Sequence, residues 1–196
     1  SVKAQYHSYE VMNQHVSFLF SSLLTDDCIA RGKALLDGGV RYLGGTNETY
    51  GNINTSDSLW VIRDLVFNQK KYTLRQLNDA MLANFNGYEA LRKDCLNCDK
   101  YGNDLETADT MANDLYEFVA KGVRDRGIAI GMQYFLIVIS NNQLNTEWGN
   151  RTAASPDGRL SCMYMNPANN PQGGANKSGP TAMLNSLAKF DAKYHG

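Results

Sequence analysis

Residues 152–191 read TAASPDGRLSCMYMNPANNPQGGANKSGPTAMLNSLAKFD and decide the fold that we expect for the whole chain. This segment contains all four prolines of the sequence. Proline fixes φ and lacks an N–H donor, whereas glycine permits left-handed backbone, so the segment predicts a shaped loop. An apolar run at residues 134–139 precedes it, and a predicted helix at residues 181–191 closes it. Such a loop is a common place for a functional site, and a plain surface loop is the alternative interpretation.

The composition is that of an ordinary globular domain. The chain has 196 residues, of which 43% are hydrophobic and 20% charged, and its net charge is −1. This balance predicts no nucleic-acid partner, and no apolar run is long enough to predict a membrane span. The polar N-terminal residues do not resemble a secretory signal, so we expect the four cysteines to be reduced thiols in a cytoplasmic protein.

Helical periodicity dominates residues 6–126. Residues 6–36 predict helix with a break near residues 25–27, where Thr25 would cap the second part. Ser56 or Asp57 would cap the next helix, and Thr73 with Gln76 forms a predicted capping box. The remaining helices are predicted at residues 58–68, 74–85, 88–97 and 105–125, with a turn at 86–87.

Only one convincing strand is predicted, at residues 132–140, where β-branched and aromatic residues suit burial on both faces. Residues 40–43 predict a weaker strand. Residues 44–55 are polar and glycine-rich but lack the Gly-Lys-Ser/Thr of a P-loop, which favours a plain loop. Because an isolated strand leaves both edges unpaired, the pattern predicts a helix-rich slice of a larger α/β protein.

Four residues of the 152–191 segment are candidate site residues. Asp157 and Arg159, with Ser155 beside them, would bind a polar group of a substrate. The alternative is that this Asp-Gly turn and its arginine fix the loop by hydrogen bonds and an ion pair. Cys162 is the best candidate for an exposed, reactive thiol, and a packed or idle thiol is the alternative.

Cys95 and Cys98 have the spacing of a metal or redox pair. A tetrahedral zinc site needs four ligands, and the sequence has neither a second Cys-x-x-Cys nor a His-x-x-x-His. The pair also lies on a predicted helix without a proline after the first cysteine. We therefore expect no metal site, and a thiol-redox or metal protein is a weaker hypothesis.

The sequence resembles the glycyl radical enzymes, the family that includes pyruvate formate-lyase and the glycerol and diol dehydratases. The residues that carry the resemblance are Ser-Pro-Asp-Gly-Arg at 155–159, Gly-Pro-Thr-Ala-x-Leu-x-Ser-x-x-Lys at 179–189, Lys-Tyr-Gly-Asn-Asp at 100–104, and the segments 16–42, 57–71 and 84–92. Together they extend over nearly the whole chain, and the dehydratase-like branch is the more similar.

The resemblance implies a partial slice of a ten-stranded α/β barrel, with residues 1–196 forming one partial domain from the C-terminal part of that barrel domain. In this domain residues 6–126 would be helical and residues 130–180 would hold the strand and loop. The family stores a radical on a glycine and transfers it to a cysteine, in motifs of the type Arg-Val-x-Gly-Tyr and Gly-Cys-Val-Glu or Cys-Cys. Neither motif occurs here, so the cysteine loop is expected before Ser1 and the glycine loop after Gly196.

The implied function is that of a fragment of a glycyl radical lyase or dehydratase, inactive alone. The whole enzyme would cleave a C–C, C–O or C–N bond of a small metabolite, and an iron–sulfur, S-adenosylmethionine-dependent activase would install the radical. No cofactor is expected on this chain itself, and a homo-oligomer is expected. The alternative is a non-catalytic scaffold or a partner protein that completes a split enzyme.

Overall fold

The computed structural model describes residues 1–16, 18–138 and 143–191 and shows a helix-rich α/β chain. The helices are α1 Val2–His15, α2 Leu19–Leu24, α3 Cys28–Arg31, α4 Asn52–Val61, α5 Leu74–Leu82, α6 Glu89–Asn97, α7 Glu106–Ala129, α8 Leu144–Asn150 and α9 Gly179–Ala188. The strands are β1 Gly44–Glu48 and β2 Tyr134–Val138, and a 3-10 turn at Leu35–Asp37 and a π-helix at Ile62–Asn68 complete the described elements.

The chain divides into two compact units. Among the described residues, the first consists of Ser1–Glu48 and Phe118–Val138, and the second of Thr49–Glu117 and residues 143–191. The expectation of a single partial domain remains a prediction.

A parallel pair of strands, β1 and β2, organises the first unit. Gly44 is in register with Tyr134 and Glu48 with Val138. A Cβ atom at Gly45 would lie 2.8 Å from the ring of Phe135, so glycine permits this close approach. The buried core of the unit, on which tyrosines of α1 pack, consists of Val2, Met132 and Phe135.

The core of the second unit lies among α4, the π-helix, α5 and α6. Its buried members are Val61, Leu65, Leu77, Ala80, Phe85, Leu91 and Cys95. Leu160, from the 152–191 segment, packs against this core. The burial of these side chains therefore fixes the helices that support the segment.

Several predicted elements agree with the structure. The capping box is present, with Thr73 Oγ1 accepting from the N–H of Gln76 and the Gln76 side chain accepting from the N–H of Thr73. Gly87 has a φ of +79°, as a turn at 86–87 requires. Helices α5, α6, α7 and α9 and the strand β2 lie within a few residues of their predicted bounds.

The predicted strand at residues 40–43 is wrong, and so is the prediction of a plain loop at 44–55. The first strand is β1, Gly44–Glu48, and helix α4 begins at Asn52. Residues 44–48 have little intrinsic β propensity, so their conformation depends on pairing with β2. The predicted strand 132–140 is shorter in the structure, and residues 139 and 140 lie outside the described residues.

The predicted helix caps at residues 25, 56 and 57 are wrong. Thr25 follows the C-terminus of α2, and the residue that precedes α3 is Asp27. Ser56 and Asp57 lie inside α4 and are 1% exposed each. The helix begins earlier than predicted because its first turn carries asparagines and Thr55, which a periodicity of apolar residues does not identify. Phe18, with a φ of +44°, adds a break between α1 and α2 that was not predicted.

No helix among the described residues is long and apolar enough to cross a bilayer.

Candidate functional site

A tight turn lies at the centre of the 152–191 segment. The N–H of Gly158 donates to the carbonyl oxygen of Ser155 at 3.0 Å, and the N–H of Ser155 donates to that of Arg159 at 3.0 Å. Gly158 has a φ of +93°, and a Cβ atom there would lie 2.7 Å from Leu96 Cδ2. Any L side chain at this position would be strained and would also clash with α6, so the turn requires glycine.

The buried carboxylate of Asp157 joins the turn to helix α4. Asp157 Oδ2 accepts a hydrogen bond from Asn54 Nδ2 at 2.6 Å, and Oδ1 accepts from Ser155 Oγ at 2.5 Å and from the N–H of Arg159 at 3.3 Å. The N–H of Asp157 donates to Ser58 Oγ at 3.2 Å. With Asp157 only 4% exposed, these bonds satisfy a charge that would otherwise be costly to bury.

The guanidinium of Arg159 is also buried, at 4% exposure. Its Nε donates to Ser155 Oγ at 3.2 Å, and Nη1 donates to the carbonyl oxygens of Leu160 at 3.2 Å and Met163 at 2.8 Å. Nη2 donates to the carbonyl oxygen of Ala153. The side chain thus holds the backbone on both sides of the turn, and its burial lowers the pKa of Arg159.

The structure favours the loop-fixing interpretation of Asp157 and Arg159 over substrate contact through their charged atoms, with one correction. No salt bridge joins the two side chains within the described residues. The guanidinium is directed at carbonyl oxygens and the Ser155 hydroxyl, and the carboxylate is directed at Asn54. Neutral polar groups of the protein therefore form hydrogen bonds with both charged side chains, and the prediction of an ion pair between them is wrong.

A pair of asparagines joins the later part of the segment to α4. The N–H of Asn54 donates to Asn166 Oδ1 at 3.2 Å, and the N–H of Asn166 donates to Asn54 Oδ1 at 2.8 Å. Asn54 Nδ2 also donates to Gln172 Oε1 at 3.1 Å. Asn54 therefore contacts the segment at three places, residues 157, 166 and 172, and fixes its course.

A cavity of about 450 Å³ lies beside this turn. Helix α6 forms one wall, the turn forms another, and residues 172–175 and Lys177 also line the cavity. Asp157 and Arg159 line the cavity, whereas Ser155 and Cys162 do not. A volume of this size is typical of sites for small molecules.

Asp57 lines the same cavity and is 1% exposed. Its Oδ1 accepts a hydrogen bond from the N–H of Tyr101 at 3.0 Å, and its Oδ2 has no partner among the described residues. Burial raises the pKa of Asp57 to about 7. Asp57 Oδ2 is thus a buried oxygen, shielded from solvent, that has no partner among the described residues.

Cys162 lies apart from these contacts. It is exposed and has a φ of +62°, and its Sγ lies 3.6 Å from Ser161 Oγ. The structure therefore brings Ser155, Asp157 and Arg159 together by hydrogen bonds and leaves Cys162 apart from them. Of the four predicted site residues, Asp157 and Arg159 line the cavity. Substrate-binding roles for all four remain predictions.

The Cys95 and Cys98 pair does not have the features of a redox or metal site. Burial raises the pKa of Cys95 to about 12 and that of Cys98 to about 11, which disfavours the reactive thiolate. No group of three or more His, Cys, Asp or Glu side chains in residues 1–16, 18–138 and 143–191 is arranged to hold a metal ion. Cys95 instead belongs to the buried core of its unit.

Sequence reasoning missed the residues that connect the segment to the helices. Asn54 lies in the segment predicted as a plain loop, Asp57 is predicted only as a helix cap, and no role is predicted for Asn166 or Gln172. Hydrogen bonds between Asn54 and Asn166 join positions 112 residues apart. No local pattern encodes such a pairing; the density of asparagine in residues 47–54 and 166–176 was the only available signal.

Comparison with known proteins identifies a family that the chain matches. The family described as "Pyruvate formate lyase-like" matches residues 1–144. Trans-4-hydroxy-L-proline dehydratase from Clostridioides difficile is 33% identical over 179 residues, which cover 91% of this chain and 23% of the relative.

Solved structures give the same result. The hydroxyproline dehydratase structure from Clostridioides difficile has a TM-score of 0.93 at 29% identity, over 99% of this chain and 25% of that one. A glycyl radical enzyme from Archaeoglobus fulgidus has a TM-score of 0.80 at 31% identity, over 89% of this chain and 22% of that one.

The helix-rich α/β fold is that of a segment of glycyl radical enzyme structures. The chain belongs to the pyruvate formate lyase-like family of glycyl radical enzymes, and its relatives include dehydratases and lyases. It spans about one quarter of the length of the relatives that it matches.

Proposed function

We propose that this chain forms one part of a glycyl radical lyase or dehydratase that cleaves a C–C, C–O or C–N bond of a small metabolite. The observation that carries the proposal is the buried network of Asn54, Asp157 and Arg159, which holds a glycine-dependent turn rigidly against α4 and α6. Fixed loops of this kind position reacting groups, because catalysis by radical transfer depends on close contact. The match along nearly the whole chain to a dehydratase supports the same function.

In the whole enzyme, the glycyl radical would supply the chemistry for hydrogen-atom abstraction from the substrate by way of a cysteine thiyl. The residues of this chain do not fit the radical site itself, because no glycine or cysteine here stands in the family's motifs. We assign to this chain the shaping of the protein around the substrate, as a slice of the ten-stranded barrel. The radical glycine, the thiyl cysteine and the contact with the iron–sulfur activase would come from other polypeptide.

The remaining assignments follow from this role. We place the protein in the cytoplasm, in agreement with its four free cysteines. We expect the whole enzyme to be a homo-oligomer and the isolated chain to be inactive.

A chimera tests the proposal. The matching 179 residues of the Clostridioides difficile dehydratase are replaced by this chain, and the product is activated without oxygen. We expect electron paramagnetic resonance to detect a glycyl radical and chromatography to detect turnover in the chimera, and neither in the isolated chain. We expect the same chimera with Asp157→Asn to form the radical. Its kcat/KM should fall at least about tenfold, because a misplaced turn that raises the activation free energy by about 1.4 kcal/mol lowers the rate by that factor.

Two results would contradict the proposal. One is a glycyl radical and turnover on the isolated 196-residue chain. The other is a soluble, folded chimera that forms the radical but has no turnover, which would favour the scaffold hypothesis instead.

A further inference from the structure

The connection between α5 and α6 contains the one Asn-Gly pair of the sequence, Asn86-Gly87. Both residues are exposed, and the side chain of Asn86 makes no hydrogen bond within the described residues. Gly87 has a φ of +79°, and a Cβ atom built there would have nothing within 4 Å. An unrestrained amide therefore lies next to a backbone nitrogen that no side chain shields.

Asparagine is chemically labile, and most of all before glycine, because its side chain can close a ring with the backbone. The backbone nitrogen of Gly87 gives up its proton to hydroxide and attacks Cγ of Asn86. The Cγ–Nδ2 bond breaks, and the Nδ2 group takes a proton from water and leaves as ammonia. Water then opens the resulting succinimide ring at either carbonyl, which leaves aspartate or isoaspartate at this position and adds one negative charge.

Glu89 holds the nitrogen that has to react. The N–H of Gly87 donates to Glu89 Oε1 at 2.9 Å, and this hydrogen bond is the main cause that lowers the pKa of Glu89. The carboxylate is therefore charged at neutral pH, and a charged acceptor binds a donor more strongly than a neutral one does. Ring closure has to break this bond and remove the proton beside a negative charge, so Glu89 slows the reaction.

A second pair with the same ring-forming atoms, Asp157-Gly158, is restrained at both reacting groups. Asp157 is 4% exposed, and its carboxylate accepts from Asn54 Nδ2 at 2.6 Å. The N–H of Gly158 donates to the carbonyl oxygen of Ser155 at 3.0 Å. The structure thus protects this pair from ring closure and leaves the pair at 86–87 with a single restraint.

We propose that Asn86-Gly87 is a site of spontaneous deamidation, and that Glu89 controls its rate through the hydrogen bond from the Gly87 N–H. The reaction needs only water and residues of this chain. It therefore stands whether or not the proposed radical function is correct.

The modification has a structural consequence for the 152–191 segment. Isoaspartate lengthens the backbone by one atom, in a connection where Asn84 and Phe85 already have φ values of +50° and +60°. Residues other than glycine keep such conformations only where their surroundings hold them. Asn84 Oδ1 accepts a hydrogen bond from the N–H of Ser161 at 2.8 Å. A longer backbone displaces Asn84 and breaks this bond.

Ageing of the 196-residue chain at neutral pH tests the proposal. Peptide mapping by mass spectrometry follows each asparagine, and electron-transfer fragmentation distinguishes aspartate from isoaspartate. We expect deamidation at Asn86 to be at least about tenfold faster than at Asn103 or Asn176. The amide nitrogens of those two side chains donate to backbone carbonyl oxygens. Asp157 should remain unmodified.

Variants assign the control to Glu89. Glu89→Gln keeps the shape of the acceptor and removes its charge, so it should raise the rate at Asn86 at least about threefold. Glu117→Gln, at an exposed glutamate of α7, is the matched control and should leave that rate unchanged. The rate at Asn103 in the same samples reports any general loosening of the fold and should not change. Asn86→Gln, which would have to form a larger ring, should abolish modification at this position.

Hydrogen exchange measures the structural consequence. In the aged chain the amide of Ser161 should exchange at least about tenfold faster than in aged Asn86→Gln. The proposal is overturned if Asn86 stays unmodified while other asparagines react, or if Glu89→Gln and Glu117→Gln behave alike. It is also overturned if Glu89→Gln slows the reaction, which would make the carboxylate a base, or if exchange at Ser161 is the same with and without the modification.

Discussion

The two oxygens of Asp157 serve different partners, and this makes the residue sensitive to a change that preserves its shape. In Asp157→Asn, one orientation of the amide faces its NH2 towards the NH2 of Asn54, and the other leaves the N–H of Arg159 without an acceptor. Either orientation leaves a buried donor unpaired. We expect the free energy of unfolding to fall by about 2–3 kcal/mol, measured by urea denaturation.

Asp114→Asn is the matched control for this substitution, because Asp114 is exposed on α7. It should change the free energy of unfolding by no more than about 0.5 kcal/mol. Equal effects of the two substitutions would show that the network at Asp157 does not stabilise the turn.

Asp57 gives the stability of the chain a dependence on pH. Burial raises its pKa to about 7 from the ordinary aspartate value of 3.8. The folded state then binds a proton at Asp57 more tightly than the unfolded state does. The contribution of Asp57 to the free energy of unfolding is therefore greatest below pH 4 and falls as the pH rises towards 7. We expect the unaltered chain to lose up to about 1.4 kcal/mol per pH unit relative to Asp57→Asn in this range.

Urea denaturation of both proteins at several pH values measures the difference. All other titrating groups are common to the two, so they cancel. A difference in the free energy of unfolding that stays constant from pH 4 to pH 8 would contradict the raised pKa. If the unaltered chain instead gained stability relative to Asp57→Asn as the pH rises, the pKa of Asp57 would be lowered and not raised.

At the scale of elements, helix α5 has the best-defined start. Thr73 and Gln76 satisfy each other's N–H groups in the capping box. Thr73→Ala removes the side-chain acceptor and should cost about 1 kcal/mol, measured by urea denaturation and by faster hydrogen exchange in the first turn of α5.

Thr73→Ser keeps the hydroxyl and is the control for this prediction. It should retain the stability of the unaltered chain to within a few tenths of a kcal/mol. A loss as large as that of Thr73→Ala would mean that the methyl group, and not the cap, stabilises the helix.

The elements that could be predicted are those in which local chemistry decides the conformation. The capping box, the turn at 86–87 and the amphipathic helix α7 each depend on residues within a few positions of one another. Strand β1 depends instead on its partner β2, because Gly-Gly-Thr-Asn-Glu has little β preference of its own. Its prediction would have required knowledge of the pairing.

The candidate site was predictable to the same extent. The turn at 155–159 follows from proline, aspartate and glycine in sequence, and the structure has it. The partners of that turn, Asn54 and Ser58, are about 100 residues away in the sequence and lie on a helix whose start was misplaced. Sequence patterns therefore located the loop and could not locate what holds it.

For the molecule as a whole, an exposed apolar patch on α2 predicts self-association of the isolated chain. The α2 patch consists of Leu19, Phe20, Leu23 and Leu24, which are 70%, 75%, 55% and 74% exposed. Apolar surface of this kind is stabilised by burial against another surface, and a second copy is the one available in a pure sample. We expect sedimentation velocity to show a dimer or larger species at micromolar concentration.

Phe20→Glu places a charge in the α2 patch and should shift the population towards monomer. Leu82→Glu is the control, since Leu82 is 80% exposed but lies at the end of α5, in the other compact unit. A monomeric unaltered chain, or an equal effect of both substitutions, would contradict this prediction.

The pairing of β1 with β2 also has a consequence for the newly made protein. The hydrogen bond between Leu43 and Gln133 that borders the pair joins residues 90 positions apart. At a synthesis rate of about 5–20 residues per second, the first strand waits roughly 5–18 seconds on the ribosome before its partner exists. A strand rich in valine or isoleucine would be prone to aggregate during that interval. We expect the polar, glycine-rich composition of β1 to lower this tendency while the nascent chain is incomplete.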